Sequence, residues 1–172
     1  MKKVLITGAT GMIGGLLLNH CLGSSEVVQV TSLVRRLTNN NHPKLNEVVI
    51  EDFLNLDSKE EYLKGVDVVY YCLGVYTGAV DRAEFRKITV DYPEKLASVL
   101  NNREDTVFCL LSGAGADREE KNRMMFAKDK GVVENILSKM GFKMFHTFRP
   151  GYIYPVTPRK EPNISYKIMR LC

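Results

Sequence analysis

The 172-residue sequence predicts a doubly wound α/β fold, a parallel sheet with helices on both faces. Short runs rich in β-branched residues alternate along the chain with longer segments of helical pattern. Most of these runs are apolar without strict alternation, which is typical of strands that are covered on both faces. Strands separated by helices at this spacing indicate right-handed crossovers, and therefore a parallel sheet.

The predicted elements follow in order along the chain. Six segments are predicted as strands: 3–7, 27–34, 47–50, 66–73, 106–112 and 143–148. Four segments are predicted as helices: 12–22, 57–64, 81–100 and 118–140. Pro93 lies within the third helix and predicts a kink or a restart, because proline removes one hydrogen bond of the helix. With 45% hydrophobic residues, the chain is predicted to form one domain over residues 1–172.

Charge and hydropathy exclude some classes of partner. The net charge of +4 is modest, and the 24 basic residues are spread along the chain, which argues against a nucleic-acid surface but suits an anionic ligand. No apolar run approaches the roughly 20 residues that span a bilayer, so no membrane partner is expected. The N-terminal lysines precede an apolar run that glycines interrupt, and no cleavage site follows, so a secretory signal is not predicted.

Cysteine and histidine spacing gives no sign of a metal site. The cysteines are scattered, and three lie in apolar contexts, which is typical of reduced, buried thiols and predicts a cytoplasmic location. They are Cys21, Cys72, Cys109 and Cys172. The three histidines share no ligand spacing with them, so we expect no structural metal.

The stretch "TGATGMIGG" (7–15) places glycines where the first helix should start. Each interior glycine costs a helix roughly 1 kcal/mol relative to alanine, so the bare backbone must be required. Gly8 permits a sharp turn, Gly11 lets a ligand approach the backbone, and Gly14 lets helix and strand pack closely. The uncovered N–H groups and the helix dipole favour a diphosphate, so the stretch predicts nucleotide binding.

The spacing G-x-x-G-x-x-G resembles the cofactor fingerprint of extended and atypical short-chain dehydrogenases/reductases, a group of the NAD(P)-binding Rossmann superfamily. Further segments follow in the order of that superfamily: "CLG" (72–74), "LLSGAGAD" (110–117), "KGVVENIL" (130–137) and "FRPGYIYP" (148–155). Together they resemble the Tat-interacting-protein-like oxidoreductase branch, whose members carry LLSSxGAD, YxxxKGxxE and FRPG segments. The resemblance covers nearly the whole chain.

The resemblance implies a set of cofactor contacts. They are Gly8, Thr10, Gly11, Met12, Ile13, Gly14, Arg35, Asp52, Phe53, Leu73, Gly74, Lys130, Pro150 and Gly151. Asp52 resembles the acid that contacts adenine, although a loop aspartate could equally cap a turn.

The residues after the second predicted strand favour NADP(H) over NAD(H). An acid that binds the adenosine ribose of NAD is expected there, but the strand ends in "SLVRR". A guanidinium can pair with a 2′-phosphate, which an acid would repel. Arg35 is preferred because it is nearer to the strand; the alternative is that Arg35, Arg36 or both are solvated loop residues.

The catalytic triad of the superfamily is incomplete. The resemblance implies a tyrosine acid, a lysine four residues later and a serine after the fifth strand. Lys130 takes the lysine position, but Phe126 takes that of the tyrosine, and a phenyl ring cannot donate a proton. Ser112 is retained, whereas Gly113 stands where the branch commonly has a second serine. The candidate catalytic residues are therefore Ser112 and Lys130.

Three functions remain open, two from these residues and one from the resemblance alone. The first is an NADP(H)-binding protein with weak or no dehydrogenase turnover. The second is an active NADPH-dependent oxidoreductase that acts on a small carbonyl substrate through a relocated acid, Tyr76, Tyr152 or a water held by Ser112. The third is a regulatory protein-interaction module, as among relatives that act through partner proteins.

The C-terminal stretch and the oligomeric state are less well defined by sequence. Only "VTPRKEPNISYKIMRLC" follows "RPGYIYP", so we expect the substrate-side elements to be short or missing. Ile164, Ile168 and Leu171 would share one face of a helix there. A homodimer is left open, because helices that form dimers look like any amphipathic helix.

Overall fold

The computed structural model describes residues 1–154 and contains a parallel sheet. Its strands are β1 (Lys2–Thr7), β2 (Val27–Val34), β3 (Leu45–Val49), β4 (Val68–Tyr71), β5 (Val107–Leu111) and β6 (Met144–Phe148). They lie in the order β3-β2-β1-β4-β5-β6, and every pairing is parallel. The strand order reverses between β1 and β4, where doubly wound sheets open a crevice at the carboxyl ends of the strands.

Helices cover both faces of the sheet, which confirms the predicted fold class. They are α1 (Met12–Gly23), α2 (Arg82–Arg86), α3 (Tyr92–Val99) and α4 (Met125–Ser138). On one face, Leu18 and Leu22 of α1 pack with Val4 and Val30 of the sheet. On the other, a larger core joins α3 and α4 to the sheet; its members include Leu96, Leu137, Val69 and Phe108.

The helix predicted over 81–100 is divided by a π-helical turn, Lys87–Asp91, between α2 and α3. Pro93 has no N–H to donate to the carbonyl of Thr89, so the regular ladder breaks one turn upstream of it. Within this turn, the Ile88 carbonyl accepts a hydrogen bond of 3.2 Å from the Tyr71 hydroxyl. Burial raises the pKa of Tyr71 well above its usual value, so this phenol remains a donor. The irregular turn thereby satisfies a buried polar group.

Helix α4 begins at Met125, seven residues later than predicted, because Asp117 holds the preceding residues in a loop. Its carboxylate accepts hydrogen bonds from the backbone N–H groups of Glu119, Lys121 and Asn122 at 3.0, 2.9 and 2.7 Å. Such bonds compete with helical hydrogen bonding. The segment predicted as a helix at 57–64 is a 3₁₀ helix, Asp57–Leu63, that buries Leu63.

Strand β4 is shorter than the predicted 66–73, because Cys72 and Leu73 turn toward β1. Their backbone N–H groups donate to the hydroxyl of Thr7 at 3.2 and 3.4 Å. Within residues 1–154, no helix is both long and apolar enough to cross a membrane. The helical face predicted for Ile164, Ile168 and Leu171 lies outside the described residues.

Candidate functional site

The glycine turn after β1 has no room for side chains at two positions. Gly8 has a φ of +71°, and a Cβ there would lie 2.7 Å from the carbonyl oxygen of Cys72. A Cβ on Gly14 would lie 2.2 Å from the carbonyl oxygen of Gly8. These distances confirm the sharp turn predicted at Gly8 and show that α1 packs closely at Gly14 against the turn that follows β1.

Gly11 forms the N-cap of α1, which begins at the carboxyl end of β1. Among the described residues, no side chain caps this helix. The first N–H groups of a helix have no partner within the helix, and the dipole places partial positive charge there. A turn without side chains that leads into such a terminus suits a phosphate group. Met12 and Ile13 are half-buried beside it, and Thr10 is exposed.

Thr7, which the sequence analysis did not single out, connects the two strands that flank this turn. It is fully buried, and its hydroxyl accepts the hydrogen bonds from Cys72 and Leu73. Leu73 packs against the core, whereas a Cβ on Gly74 would meet no atom within 4 Å. The signal in the sequence is a hydroxyl at the last position of a strand that a glycine turn follows.

Arg35 and Arg36 follow β2 and are exposed. Within residues 1–154, no hydrogen bond or ion pair engages either guanidinium. The nearby acid of β3, Glu47, accepts hydrogen bonds from the N–H and the hydroxyl of Thr38 at 2.9 and 2.7 Å. The Glu47 carboxylate therefore binds the loop and not an arginine. The end of β2 thus carries two guanidinium groups, those of Arg35 and Arg36.

The segment after β3 could contact a ligand through its backbone and through the carboxylate of Asp52. An oxygen of Asp52 accepts a hydrogen bond from the Leu54 N–H at 3.0 Å, so this residue caps a turn, as the alternative interpretation holds. Its exposed side chain keeps a second oxygen. Phe53 is buried, and its ring lies 5.4 Å from that of Tyr92, measured between centroids. Phe53 can therefore offer a ligand only its backbone.

Ser112 is joined to a buried carboxylate at the end of β5. Its hydroxyl donates to Oε1 of Glu134 at 2.6 Å. Arg149, directly after β6, donates from Nε to the same oxygen at 2.9 Å and from Nη2 to Oε2. Glu134 is 0% exposed, so these contacts satisfy a carboxylate that water does not reach. In the sequence, Glu134 is marked only as one position of the KGxxE motif, because its partners lie far away along the chain.

Lys130 lies one turn before Glu134 on α4, and its stem passes the end of β5. A Cβ on Gly113 would lie 3.3 Å from Cε of Lys130. Burial lowers the pKa of Lys130, and the nearby Glu134 carboxylate opposes that shift. Phe126 lies one turn earlier, and a Cβ on Gly115 would lie 3.9 Å from its Cε2. The structure thus brings Ser112, Gly113 and Lys130 together, with Phe126 on the helix that carries the lysine.

An apolar groove of about 550 Å³ lies between α1 and the sheet. Its walls include Ile13 and Leu17 of α1, Leu111 of β5 and Phe148 of β6. Pro150 also lines it, so two of the predicted cofactor contacts, Ile13 and Pro150, stand on its wall. A Cβ on Gly151 would meet no atom within 4 Å.

Metal coordination and the tyrosines after β6 also bear on the chemistry of the site. In the described part of the chain, no cluster of three or more His, Cys, Asp or Glu residues is arranged to hold a metal ion. The ring of Tyr152 meets that of Tyr154 edge-on, with centroids 4.9 Å apart.

A family model described as NAD(P)H-binding matches residues 8–143, which include the glycine turn and most of the sheet. The chain belongs to this NAD(P)H-binding family. The structure agrees with this family. The turn at Gly8 and Gly14 leaves backbone without side chains at a helix N-terminus, which suits a diphosphate.

Similar proteins identify the chain as an atypical short-chain dehydrogenase/reductase that resembles HTATIP2. It is 32% identical to the protein HTATIP2 of Rattus norvegicus over 154 residues, which are 88% of this chain and 63% of the relative. It is 29% identical to the protein fmp52, mitochondrial, of Aspergillus niger, over 99% of this chain and 74% of that protein. The chain thus spans less than two thirds of the rat relative.

A solved structure shows the same fold. The UDP-glucuronic acid 4-epimerase of Bacillus cereus, in complex with NAD, superposes with a TM-score of 0.72. The sequences are 19% identical, and the match covers 93% of this chain and 59% of the epimerase. At this identity, the likeness concerns the fold alone.

Proposed function

We propose that this protein binds NADP(H) in the crevice at the carboxyl ends of β1 and β4 and has weak or no dehydrogenase turnover. The glycine turn carries the proposal. A Cβ at Gly14 would lie 2.2 Å from backbone, so the turn keeps the start of α1 bare for the diphosphate. A bound nicotinamide coenzyme supplies hydride chemistry, and the protein supplies its binding and orientation.

The predicted contacts divide along the coenzyme. We assign the diphosphate to Gly8, Thr10, Gly11, Met12, Ile13 and Gly14, and the adenosine end to Arg35, Asp52 and Phe53. We assign the nicotinamide end to Leu73, Gly74, Lys130, Pro150 and Gly151. Lys130 suits the ribose, because its ammonium lies at the end of β5 and is partly shielded from water.

Preference for NADP(H) is proposed from the charges at the end of β2. The exposed Arg35 lacks a protein partner within residues 1–154, and Glu47 is held by Thr38. A free guanidinium pairs well with the dianionic 2′-phosphate, which the NAD form does not have.

Weak or absent turnover is proposed from three positions. Phe126 and Gly113 have no hydroxyl, and the hydroxyl of Ser112 donates to Glu134. None of these positions can therefore protonate a substrate alkoxide. The competing function is an active reductase with a relocated acid, and sustained NADPH oxidation with a carbonyl substrate would support it.

Isothermal titration calorimetry of the purified chain with NADPH tests coenzyme binding. We expect binding by the wild type and none by Gly14→Ala, because the added methyl group would displace the Gly8 backbone. Gly23→Ala is the matched control on the same helix, since a Cβ there meets no atom within 4 Å. Absence of heat with the wild type, or normal binding by Gly14→Ala, would contradict the proposal.

A cytoplasmic location is also proposed, on the basis of the free thiols Cys21, Cys72 and Cys109. The Aspergillus niger relative carries the word mitochondrial in its name. Fractionation of cells that express the tagged full-length protein distinguishes the two locations. Recovery in the mitochondrial fraction would contradict the proposal.

A further inference from the structure

Glu134 connects three segments of the site through its two carboxylate oxygens. Oε1 accepts hydrogen bonds from Ser112 at 2.6 Å and from Nε of Arg149 at 2.9 Å. Oε2 pairs with Nη2 of Arg149. The carboxylate lies on α4, whereas its partners end β5 and follow β6, so one side chain joins three elements that are distant in sequence.

One partner of Glu134 directly precedes two proposed coenzyme contacts, and the other precedes a glycine that faces a third, Lys130. Arg149 directly precedes Pro150 and Gly151. Ser112 directly precedes Gly113, where an added Cβ would lie 3.3 Å from the stem of Lys130. The backbone supports this arrangement, because the Ser112 N–H donates to the carbonyl of Phe148 at 2.8 Å.

We propose that Glu134 is a positioning residue that fixes the nicotinamide side of the coenzyme site. It sets the loop after β6 through Arg149 and the end of β5 through Ser112, and so places Lys130, Pro150 and Gly151 relative to one another. The adenosine end, with Arg35 and Asp52, lies on the other half of the sheet beyond β2 and β3. This inference rests on the proposed coenzyme binding and adds a division between the two halves of the ligand.

The chemistry requires a carboxylate at this position. Glu134 accepts from a hydroxyl and from two N–H groups of a guanidinium, which has only donors. A glutamine has almost the same shape, but its amide nitrogen would present N–H groups to Arg149 or Ser112. Glu134→Gln therefore removes the charge and breaks part of the network without leaving a cavity.

The test compares two ligands that share the adenosine half. The dissociation constants of NADPH and of 2′,5′-ADP, which has no nicotinamide, are measured by calorimetry for wild type and Glu134→Gln. We expect NADPH affinity to fall by roughly tenfold or more, while 2′,5′-ADP affinity stays within about twofold. We also expect the emission of bound NADPH to move toward that of the free coenzyme, because the nicotinamide is less well held.

Glu119→Gln is the matched control. Glu119 undergoes the same chemical change, but it is exposed and pairs only at the surface, with Lys121 at 3.0 Å. Both ligands should bind this variant as they bind the wild type. If Glu134→Gln fails to fold, Arg149→Lys serves instead, since it keeps the positive charge but loses the bidentate contact with Glu134.

The outcomes separate the inference from the proposed function. If wild type binds NADPH and Glu134→Gln binds it equally well, the positioning role is overturned and coenzyme binding stands. If Glu134→Gln loses both ligands to the same extent, the residue acts on the whole fold and the inference is again overturned. If wild type binds neither ligand, the proposed function itself fails.

Discussion

Phe126 and Lys130 stand one helical turn apart on α4, and Gly113 faces the stem of the lysine from the end of β5. In such an arrangement, a tyrosine at 126 would lie on the same helical face as the ammonium, which would favour its ionised form. A serine at 113 would place a hydroxyl beside the lysine stem, a position that Ser112 cannot fill while it donates to Glu134. Phe126 and Gly113 therefore lack the two hydroxyl groups that the family resemblance implies at these positions.

Restoring both hydroxyls should create turnover. We expect Phe126→Tyr combined with Gly113→Ser to oxidise NADPH in the presence of aldehydes or quinones faster than wild type. The new Cβ at 113 would lie 3.3 Å from Cε of Lys130, and that flexible stem can move aside. The decrease in NADPH absorbance measures the rate. Phe126→Leu with Gly113→Ser is the control without the phenol. Sustained oxidation by wild type at the rate of the tyrosine variant would indicate a relocated acid, and no oxidation by either would contradict the prediction.

The proposed preference for NADP(H) depends on Arg35, which is exposed at the end of β2. We expect Arg35→Ala to weaken NADPH binding by roughly 10- to 100-fold, the value of one or two hydrogen bonds to a charged group, and to leave NADH binding unchanged. Calorimetry with both coenzymes measures the ratio. Arg36→Ala is the neighbouring control, and a larger effect there would show that the other arginine binds the phosphate.

Residues whose neighbours lie close along the chain could be placed from the sequence, and those with distant partners could not. The turn at Gly8 and the contact at Gly14 follow from a local pattern. The hydroxyl of Ser112 is directed by Glu134, which lies 22 residues away. The role of Thr7 likewise depends on Cys72, across the strand pairing, so the local sequence marks the hydroxyl of Thr7 but not its partner.

At the scale of elements, α4 is held to the sheet by the loop that follows β5. A Cβ on Gly131 would lie 1.6 Å from the carbonyl oxygen of Asp117, so the helix and the loop touch through bare backbone. The Asp117 N–H donates to the carbonyl of Ala127 at 2.9 Å, one turn earlier. The position of Lys130 therefore depends on how closely this loop approaches the helix.

Gly131→Ala should destabilise the fold by about 1–3 kcal/mol or more, because the methyl group would force helix and loop apart. Urea unfolding, followed by circular dichroism, measures the difference. In Gly23→Ala, which adds the same methyl group in open space, the free energy of unfolding should change by only about 1 kcal/mol or less. Equal stability of Gly131→Ala and wild type would mean that the loop does not lie against the helix.

Element types followed from the sequence more readily than their ends. The six strands come from apolar runs between helical patterns, and all six are present. The start of α4 and the break before α3 depend instead on single side chains. Asp117 accepts hydrogen bonds from three backbone N–H groups, so a periodic pattern alone runs through the start of α4. The sequence does predict the break before α3, because Pro93 marks it.

At the scale of the whole molecule, the two faces of the sheet are covered unequally by the described residues. Helix α1 covers β1 and β2, whereas the groove extends along the same face toward β5 and β6. Phe148 is 55% exposed and Met144 is 51% exposed on β6. Among residues 1–154, the half of the sheet that carries Pro150 and Gly151 is thus less covered than the half that carries the glycine turn.

Cys72 reports on this groove, because it lines the wall and is half-buried. Burial, with a smaller contribution from Cys109, raises its pKa to about 12. Only a thiolate reacts with a disulfide reagent, so the folded protein should react slowly at neutral pH. Below the pKa, the thiolate fraction increases about tenfold for each pH unit.

The pH dependence of labelling by a disulfide reagent tests this environment in a Cys172→Ser background, which removes the thiol outside the described residues. We expect the folded protein's rate to keep increasing beyond pH 10, whereas the urea-unfolded chain levels off once pH exceeds the ordinary thiol pKa of roughly 8.5. NADPH should slow labelling of the folded protein further, since a ligand of the native state reduces opening by mass action. A folded-state profile that levels off at the same pH as the unfolded chain would show that water fills the groove around Cys72. Protection by NADPH in the Cys172→Ser protein but not after the further change Gly14→Ala would show that the protection depends on coenzyme binding at the glycine turn.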